Sequence, residues 1–202
     1  MDVGVLTVVV LVLAGLTVRA VVRLVRRSAS FQGIAVAALV LWSVLLVTAG
    51  FFEVRHHHAQ AAATKATRMA SGDPEARAVC ARAGADWMDL SGTLGFVRYD
   101  DQRTSRLRAS TCAAVGSYLW GSQQSPTLQE VVAVHVVSHE AQHVAGEFDE
   151  GVAECLALRW DVRVAESFGA SEDQAQALAA RYLTEVYPYQ SEGYVRDCST
   201  VP

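Results

Sequence analysis

Apolar and charged positions divide this chain into two regimes. From Val3 to Val18 there is no charged residue, the apolar run resumes around Arg19 and Arg23 to Val25, and Gly33 to Phe52 forms a second uncharged run of 20 residues. A helix crossing the hydrocarbon core needs about 20 apolar residues. The second run meets that outright, and the first does so with Arg19 at its edge or snorkelling toward it. The pattern predicts two membrane helices, about 3–25 and 33–52, joined by a short link at 26–32. Beyond Phe52 the apolar positions are spaced and interleaved with charge, as in a globular domain. The expected organisation is an anchor over 1–54 and a second domain over 55–202, mainly α, with one small β-hairpin.

Local patterning predicts the elements of the second domain. Glu53 to Ala70 turns alanine-rich after Arg55 and His56-His57-His58, which suits a helix leaving a bilayer. Ser71-Gly72-Asp73-Pro74 breaks it, and a new helix is expected from Pro74 through Cys80 toward Trp87. Leu94 to Tyr99 and Thr104 to Arg108, separated by Asp100-Asp101-Gln102, read as a hairpin. Ser110 is placed to cap a helix carrying Cys112 to Trp120. Thr127 and Glu130 form a capping box opening a helix over Leu128 to Ala145. A further helix runs to about Ser167, where Gly169 breaks it, and Ser171 with Gln174 opens another over Glu172 to Val186, stopped by Pro188.

Charge then orients the chain. Arg19, Arg23, Arg26 and Arg27 cluster at the link, and the positive-inside rule places that link in the cytoplasm, with both termini and the second domain on the extracytoplasmic side. A cleaved signal peptide carries its positive charge before the apolar core, whereas here Asp2 precedes it and the arginines follow. The first 52 residues carry a net +3, so the rest carries −7 of the chain's total of −4. An acidic domain has no electrostatic case for nucleic acid. Cys80, Cys112, Cys155 and Cys198 all lie in the second domain. An even count on an oxidising side reads as two disulfides, in any of three connectivities.

The chemistry centres on His139-Glu140-Ala141-Gln142-His143, an HExxH motif. On a helix the two histidines at i and i+4 share one face, and the glutamate beside the first can reach a water held between them. Its context supports a buried site: the apolar run Val131 to Val137 leads in, Gly146 follows at a helix-ending distance, and Glu147, Asp149, Glu150 and Glu154 come next. Zinc in a catalytic site takes three protein ligands and a water whose pKa falls toward neutrality. His139 and His143 supply two ligands, and Glu140 is the expected general base. Manganese or iron could occupy the same ligand set. His135, one turn earlier on the same face, reads as a core or supporting histidine. Tyr187, Tyr189 and Tyr194 are the phenols available to an oxyanion, with packing roles favoured for each.

The third ligand is a choice among carboxylates. The histidine face lies about 5 to 8 Å back from the turn that follows it. Side chains lean toward the N-terminus of their own helix. The matching carboxylate is therefore expected at least one turn into the next helix, which favours Glu154, then Glu150, then Asp149, the last a natural N-cap.

HExxHxxGxxD, ending at Asp149, resembles the metzincin signature with aspartate in place of its third histidine. Glu150-Gly151-Val152-Ala153-Glu154-Cys155-Leu156-Ala157 resembles the second helix of gluzincins, which would make Glu150 the ligand, although the fourth position holds glutamate rather than aspartate and the connection is much shorter than in thermolysin-like enzymes. The span His135 to Ala157 is similar to short zincin-like domains of membrane-anchored or secreted actinobacterial proteins of unassigned function. The resemblance implies a zincin-like fold, a Zn2+ cofactor and hydrolysis of peptide or protein substrates outside the cytoplasm. The alternatives are a non-catalytic extracellular module that keeps the zinc-site hairpin for structure or partner binding, and a metal-independent domain whose helix pair carries salt bridges.

Overall fold

Helix α1 (Val5–Val25) and helix α2 (Gln32–Ser71) form where the two apolar runs predict them. The computed structural model describes residues 4–26, 32–82 and 92–201. Both helices are long and apolar enough to cross a membrane. The helix does not end with the second run at Phe52. It continues without a break through the histidines and alanines, so α2 reaches 40 residues, about 60 Å at 1.5 Å per residue. Residues 27–31 of the link lie outside the described residues.

Packing divides the chain into two units, Met1–His57 and His58–Pro202. In the first unit the apolar side chains mostly face outward, with Val5, Leu11, Val18, Ile34 and Val47 all exposed. The Glu53 carboxylate accepts from the Thr7 hydroxyl and lies 3.1 Å from His57 Nε2.

The second unit is built inward from the last turns of α2. There Ala59, Ala63, Ala66 and Ala70 recur at helical spacing and are buried. Their small size lets a sheet approach closely. Thr64 Oγ1 bonds both the Ala78 carbonyl and the Ala78 amide at 3.1 Å, and Gln60 accepts from the Cys80 amide. The sheet has three strands, β1 (Arg77–Cys80), β2 (Gly95–Arg98) and β3 (Asp101–Leu107), in the order β1-β3-β2. Strands β2 and β3 pair antiparallel, as the hairpin pattern predicts. The helix expected from Pro74 is instead β1, parallel to β3 with Cys80 opposite Leu107. Four residues of β1 carry too little pattern to show this, and the free edge of β3 decides it. Ala81 and Arg82 follow β1 without helix, and the rest of that expected helix, toward Trp87, lies outside the described residues.

Four helices complete the core: α3 (Ala109–Trp120), α4 (Leu128–Val144), α5 (Glu150–Ser167) and α6 (Glu172–Glu185). Ser110 does not cap α3. Arg108 holds that position, and the hydroxyl of the neighbouring Thr111 instead bonds the Leu94 carbonyl. The capping boxes at Thr127/Glu130 and Ser171/Gln174 are both formed, and the Asp149 carboxylate caps α5 through the Val152 amide. Gly169 follows the end of α5 at φ 102°, a left-handed conformation that a side chain would strain.

Helix α4 is the hub. Val131, Val134, Val137 and Ala141 are fully buried between α3, α5, α6 and the sheet. Its β-branched valines favour strand locally, by a few tenths of a kcal/mol each against good helix formers. Burying one such side chain contributes roughly 1.5 to 3 kcal/mol, so burial wins. Disulfides Cys80–Cys112 and Cys155–Cys198 select one of the three pairings, tying β1 to α3 and α5 to the C-terminal tail.

Candidate metal centre

Helices α4 and α5 meet at a tight turn. Gly146, at φ 99°, lets the chain leave α4, and Asp149 restarts it three residues later. Glu150, the first residue of α5, therefore comes back over the face of α4 that carries His139 and His143.

Three lone-pair atoms converge there. His139 Nε2 lies 3.0 Å from His143 Nε2 and 3.0 Å from Glu150 Oε2, and His143 Nε2 lies 3.3 Å from the same oxygen. The opposite nitrogen of each ring is committed. His143 Nδ1 donates to the Glu147 carbonyl at 2.7 Å, and His139 Nδ1 donates to Glu154 Oε2 at 3.0 Å. A carbonyl or carboxylate oxygen only accepts, so Nδ1 carries the hydrogen in both rings, and each neutral ring presents a bare Nε2. Two such nitrogens and a carboxylate oxygen repel one another unless a cation sits between them. Ligands on a tetrahedral zinc at 2.0–2.2 Å stand about 3.3 to 3.5 Å apart, close to the separations observed. The three residues fit a metal ion.

Without a metal, a proton takes that place. Burial opposes charging of His139, but its bonds to Glu150 and Glu154 and the nearby Glu140 outweigh it and raise the ring to about 9. The hydrogen bond from His139 in turn holds the half-exposed Glu150 carboxyl below its usual range, against a smaller opposing effect of burial.

Glu154 lies on the far side of the His139 ring. Its Oε2 also faces His135 Nε2 at 3.0 Å, and its Oε1 accepts from the Tyr182 hydroxyl at 2.7 Å. His135 Nδ1 reaches Asp161 Oδ2 at 2.8 Å, and its ring stacks on Tyr182 with centroids 3.6 Å apart. His135, Glu154 and Asp161 are all fully buried. Burial alone would raise the Glu154 carboxyl, but the donors from His135, His139 and Tyr182 hold it far below the usual range. A carboxylate that grips the outer nitrogen of a metal-facing histidine orients the ring and raises its basicity. Glu154 holds that position, and Asp149 is occupied as the cap of α5 and by Arg196 at 3.1 Å.

Glu140 faces the same space as the triad. It lines a cavity of about 430 Å³ together with His139, His143, Glu150 and Tyr194. Its Oε2 is buried without a hydrogen-bond partner among the described residues. Burial pushes the carboxyl up to about 8, with Glu150 adding to the shift and His139 opposing it. Gly95 of β2 lies against it.

Of the three tyrosines, only Tyr194 lines this cavity. Its ring lies 5.7 Å from that of His139, and its hydroxyl bonds Glu150. Burial first, then the Glu150 charge, pushes the phenol up to about 12. The Tyr187 hydroxyl is spent on the Arg196 backbone, and Tyr189 is exposed. Tyr182, Asp161, Gly95 and the Glu147 carbonyl carry no signal in the sequence. Each acts through a contact between segments that local patterning does not join.

Compared with protein-family models, with curated proteins and with solved structures, the chain matches none.

Proposed function

We propose that this chain is a membrane-anchored zinc metallopeptidase whose second domain hydrolyses peptide bonds outside the cytoplasm. The observation that carries this reading is the convergence of His139 Nε2, His143 Nε2 and Glu150 Oε2 within 3.3 Å of one another, beside a buried Glu140 oxygen that has no hydrogen-bond partner among the described residues. His139, His143 and Glu150 would hold the metal, which reverses the order expected from helix geometry, where Glu154 came first. A bound zinc supplies an acidified water and polarises the carbonyl to be attacked.

The protein's own groups do the rest. Glu140 takes the proton of the attacking water at its free oxygen and returns it to the leaving amine, for which a pKa raised by burial suits it. Glu154 keeps His139 aimed, and the Glu147 carbonyl does the same for His143. The Tyr194 hydroxyl stands at the cavity wall, where a phenol can donate to the oxyanion.

An extended peptide suits the site better than a small solute. Among the described residues strand β2 has only β3 beside it in the sheet, and its residues Gly95, Phe96 and Val97 line the cavity. An edge strand there offers main-chain hydrogen bonds to a substrate. The two apolar helices supply the anchor, and the arginines at their link direct the second domain outward.

The test is metal content and peptide hydrolysis of the full-length chain in neutral detergent. About one zinc per chain is expected, lost in His143→Ala and Glu150→Ala. Glu140→Gln should keep zinc and lose hydrolysis. Zinc without hydrolysis by the wild type would make the domain a non-catalytic zinc-stabilised module. Absence of metal binding would overturn the site.

A further inference from the structure

Unit one concentrates its positive charge at one end. Between Asp2 and Glu53 the sequence contains no aspartate or glutamate, while Arg19, Arg23, Arg26 and Arg27 all fall in that span. Glu53 lies beside Thr7, at the opposite end of α1 from the arginines. Thr7 and Arg19 are 12 residues apart, about 18 Å along a helix.

Three of these arginines share one opening. Arg19, Arg23 and Arg26 recur at i, i+4 and i+7, and so lie on one face of α1. With Leu16 and Leu24 they line a cavity of about 740 Å³, closed on the other side by Ile34, Ala35, Ala38 and Trp42 of α2. Ala35 and Ala38 leave the space, and Trp42 bounds it. The cavity thus has apolar walls on both helices and three guanidinium groups on one side. Arginine is costly in such surroundings without a counter-charge, and its planar fork pairs best with a phosphate or carboxylate.

We infer that this cavity binds the headgroup phosphate of an anionic phospholipid, with the acyl chains lying along the apolar faces of α1 and α2. The inference rests on the reading of these helices as membrane spans. The arginines lie at the end of the hairpin that the positive-inside rule places at the cytoplasmic leaflet, where basic pockets between spanning helices meet anionic lipid. Three cations favour a headgroup of net negative charge over a zwitterionic one, whose choline would be repelled. Arg19, deepest in the span, reaches the phosphate by snorkelling along the cavity wall.

The experiment uses the full-length chain in a neutral maltoside detergent. Phosphatidylglycerol and phosphatidylcholine are added in equal amounts, and the lipid retained is read by native mass spectrometry. Phosphatidylglycerol should be retained at least about tenfold over phosphatidylcholine. Arg19→Gln with Arg23→Gln should remove that preference, while Arg55→Gln, at the other end of the hairpin, should keep it. Glycerol phosphate at the same concentration should not displace the lipid; full displacement would make this a site for soluble anions and overturn the proposal. Equal retention of the two lipids would overturn it as well. Alkaline carbonate extraction separates the two readings. A chain that stays with the membrane but shows no lipid preference refutes the cavity alone, and a chain released into solution refutes the membrane spans and the cavity together.

Discussion

A Cβ built at Gly95 would fall 2.8 Å from Cγ and 2.8 Å from Oε1 of Glu140. Strand β2 can run this close to the proposed base only because residue 95 has no side chain. The atoms it would meet belong to the Glu140 side chain and not to the backbone, so a methyl group there displaces the carboxylate before it disturbs the fold. Gly95→Ala should therefore retain zinc and lower kcat by tenfold or more, with roughly 1 kcal/mol or less of stability lost. Zinc stoichiometry, steady-state kinetics and thermal unfolding of the one variant check this. Unchanged kcat would mean that the position of Glu140 does not matter to the reaction.

Glu150 and Glu154 should separate by the size of their effects on metal affinity. Glu150→Ala removes a proposed ligand and should abolish stoichiometric binding. Glu154→Gln leaves the ligands in place and weakens the grip on His139, for which about 10- to 100-fold in affinity is expected. Competition against a chromophoric chelator measures both. Equal losses would argue that Glu154 touches the metal itself.

Metal uptake should depend on pH with a defined sign. At pH 7 the metal-free site holds a proton on His139, raised to about 9, and one on Glu140, raised to about 8. A metal ion must displace the first, and its charge drives off the second. Binding therefore releases protons, and the apparent affinity should rise with pH by about tenfold per unit for each proton released. The rise should level off once pH passes about 9, where the free site has already lost them. Zinc titrations from pH 6.5 to 9 test this, and an affinity that does not vary with pH would refute the exchange.

The buried trio of His135, Glu154 and Asp161 predicts a stability effect of its own. Burial opposes charging of His135, but Asp161 and Glu154 outweigh it and raise the ring to about 9, so His135→Ala leaves two carboxylates without the cation between them, with Asp161 Oδ1 already lacking a hydrogen-bond partner among the described residues. Breaking a buried pair in this way costs about 3 to 5 kcal/mol. Removing Asp161 as well should restore part of the loss. Urea unfolding of His135→Ala and of His135→Ala/Asp161→Ala checks it; equal destabilisation would mean that the charges are not coupled.

Disulfide Cys155–Cys198 holds the tail that carries Tyr194 against α5, assisted by Arg196 on Asp149 and by Arg159 on the Val201 carbonyl. Replacing both cysteines by serine should cost about 2 to 5 kcal/mol. It should also lower kcat while zinc stays bound, because Tyr194 is then less firmly placed. Thermal unfolding and kinetics on the same preparation would show whether the two losses occur together.

Much of this protein follows from interactions between near neighbours in sequence. Apolar run length predicts α1 and α2, the capping boxes at Thr127 and Ser171 place α4 and α6, and HExxH spacing puts His139 and His143 on one face. These depend on bonds within a turn or two of helix, which the order of residues determines alone. Strand β1, the partner of each cysteine, and the carboxylate that meets both Nε2 atoms depend on tertiary structure. The His139 ring shows why. Glu154 reaches one of its nitrogens at 3.0 Å and Glu150 the other at 3.0 Å. Glu150 and Glu154 are four residues apart and so share one face of α5, and only the packing of α5 across α4 decides which oxygen faces the space between the two histidines.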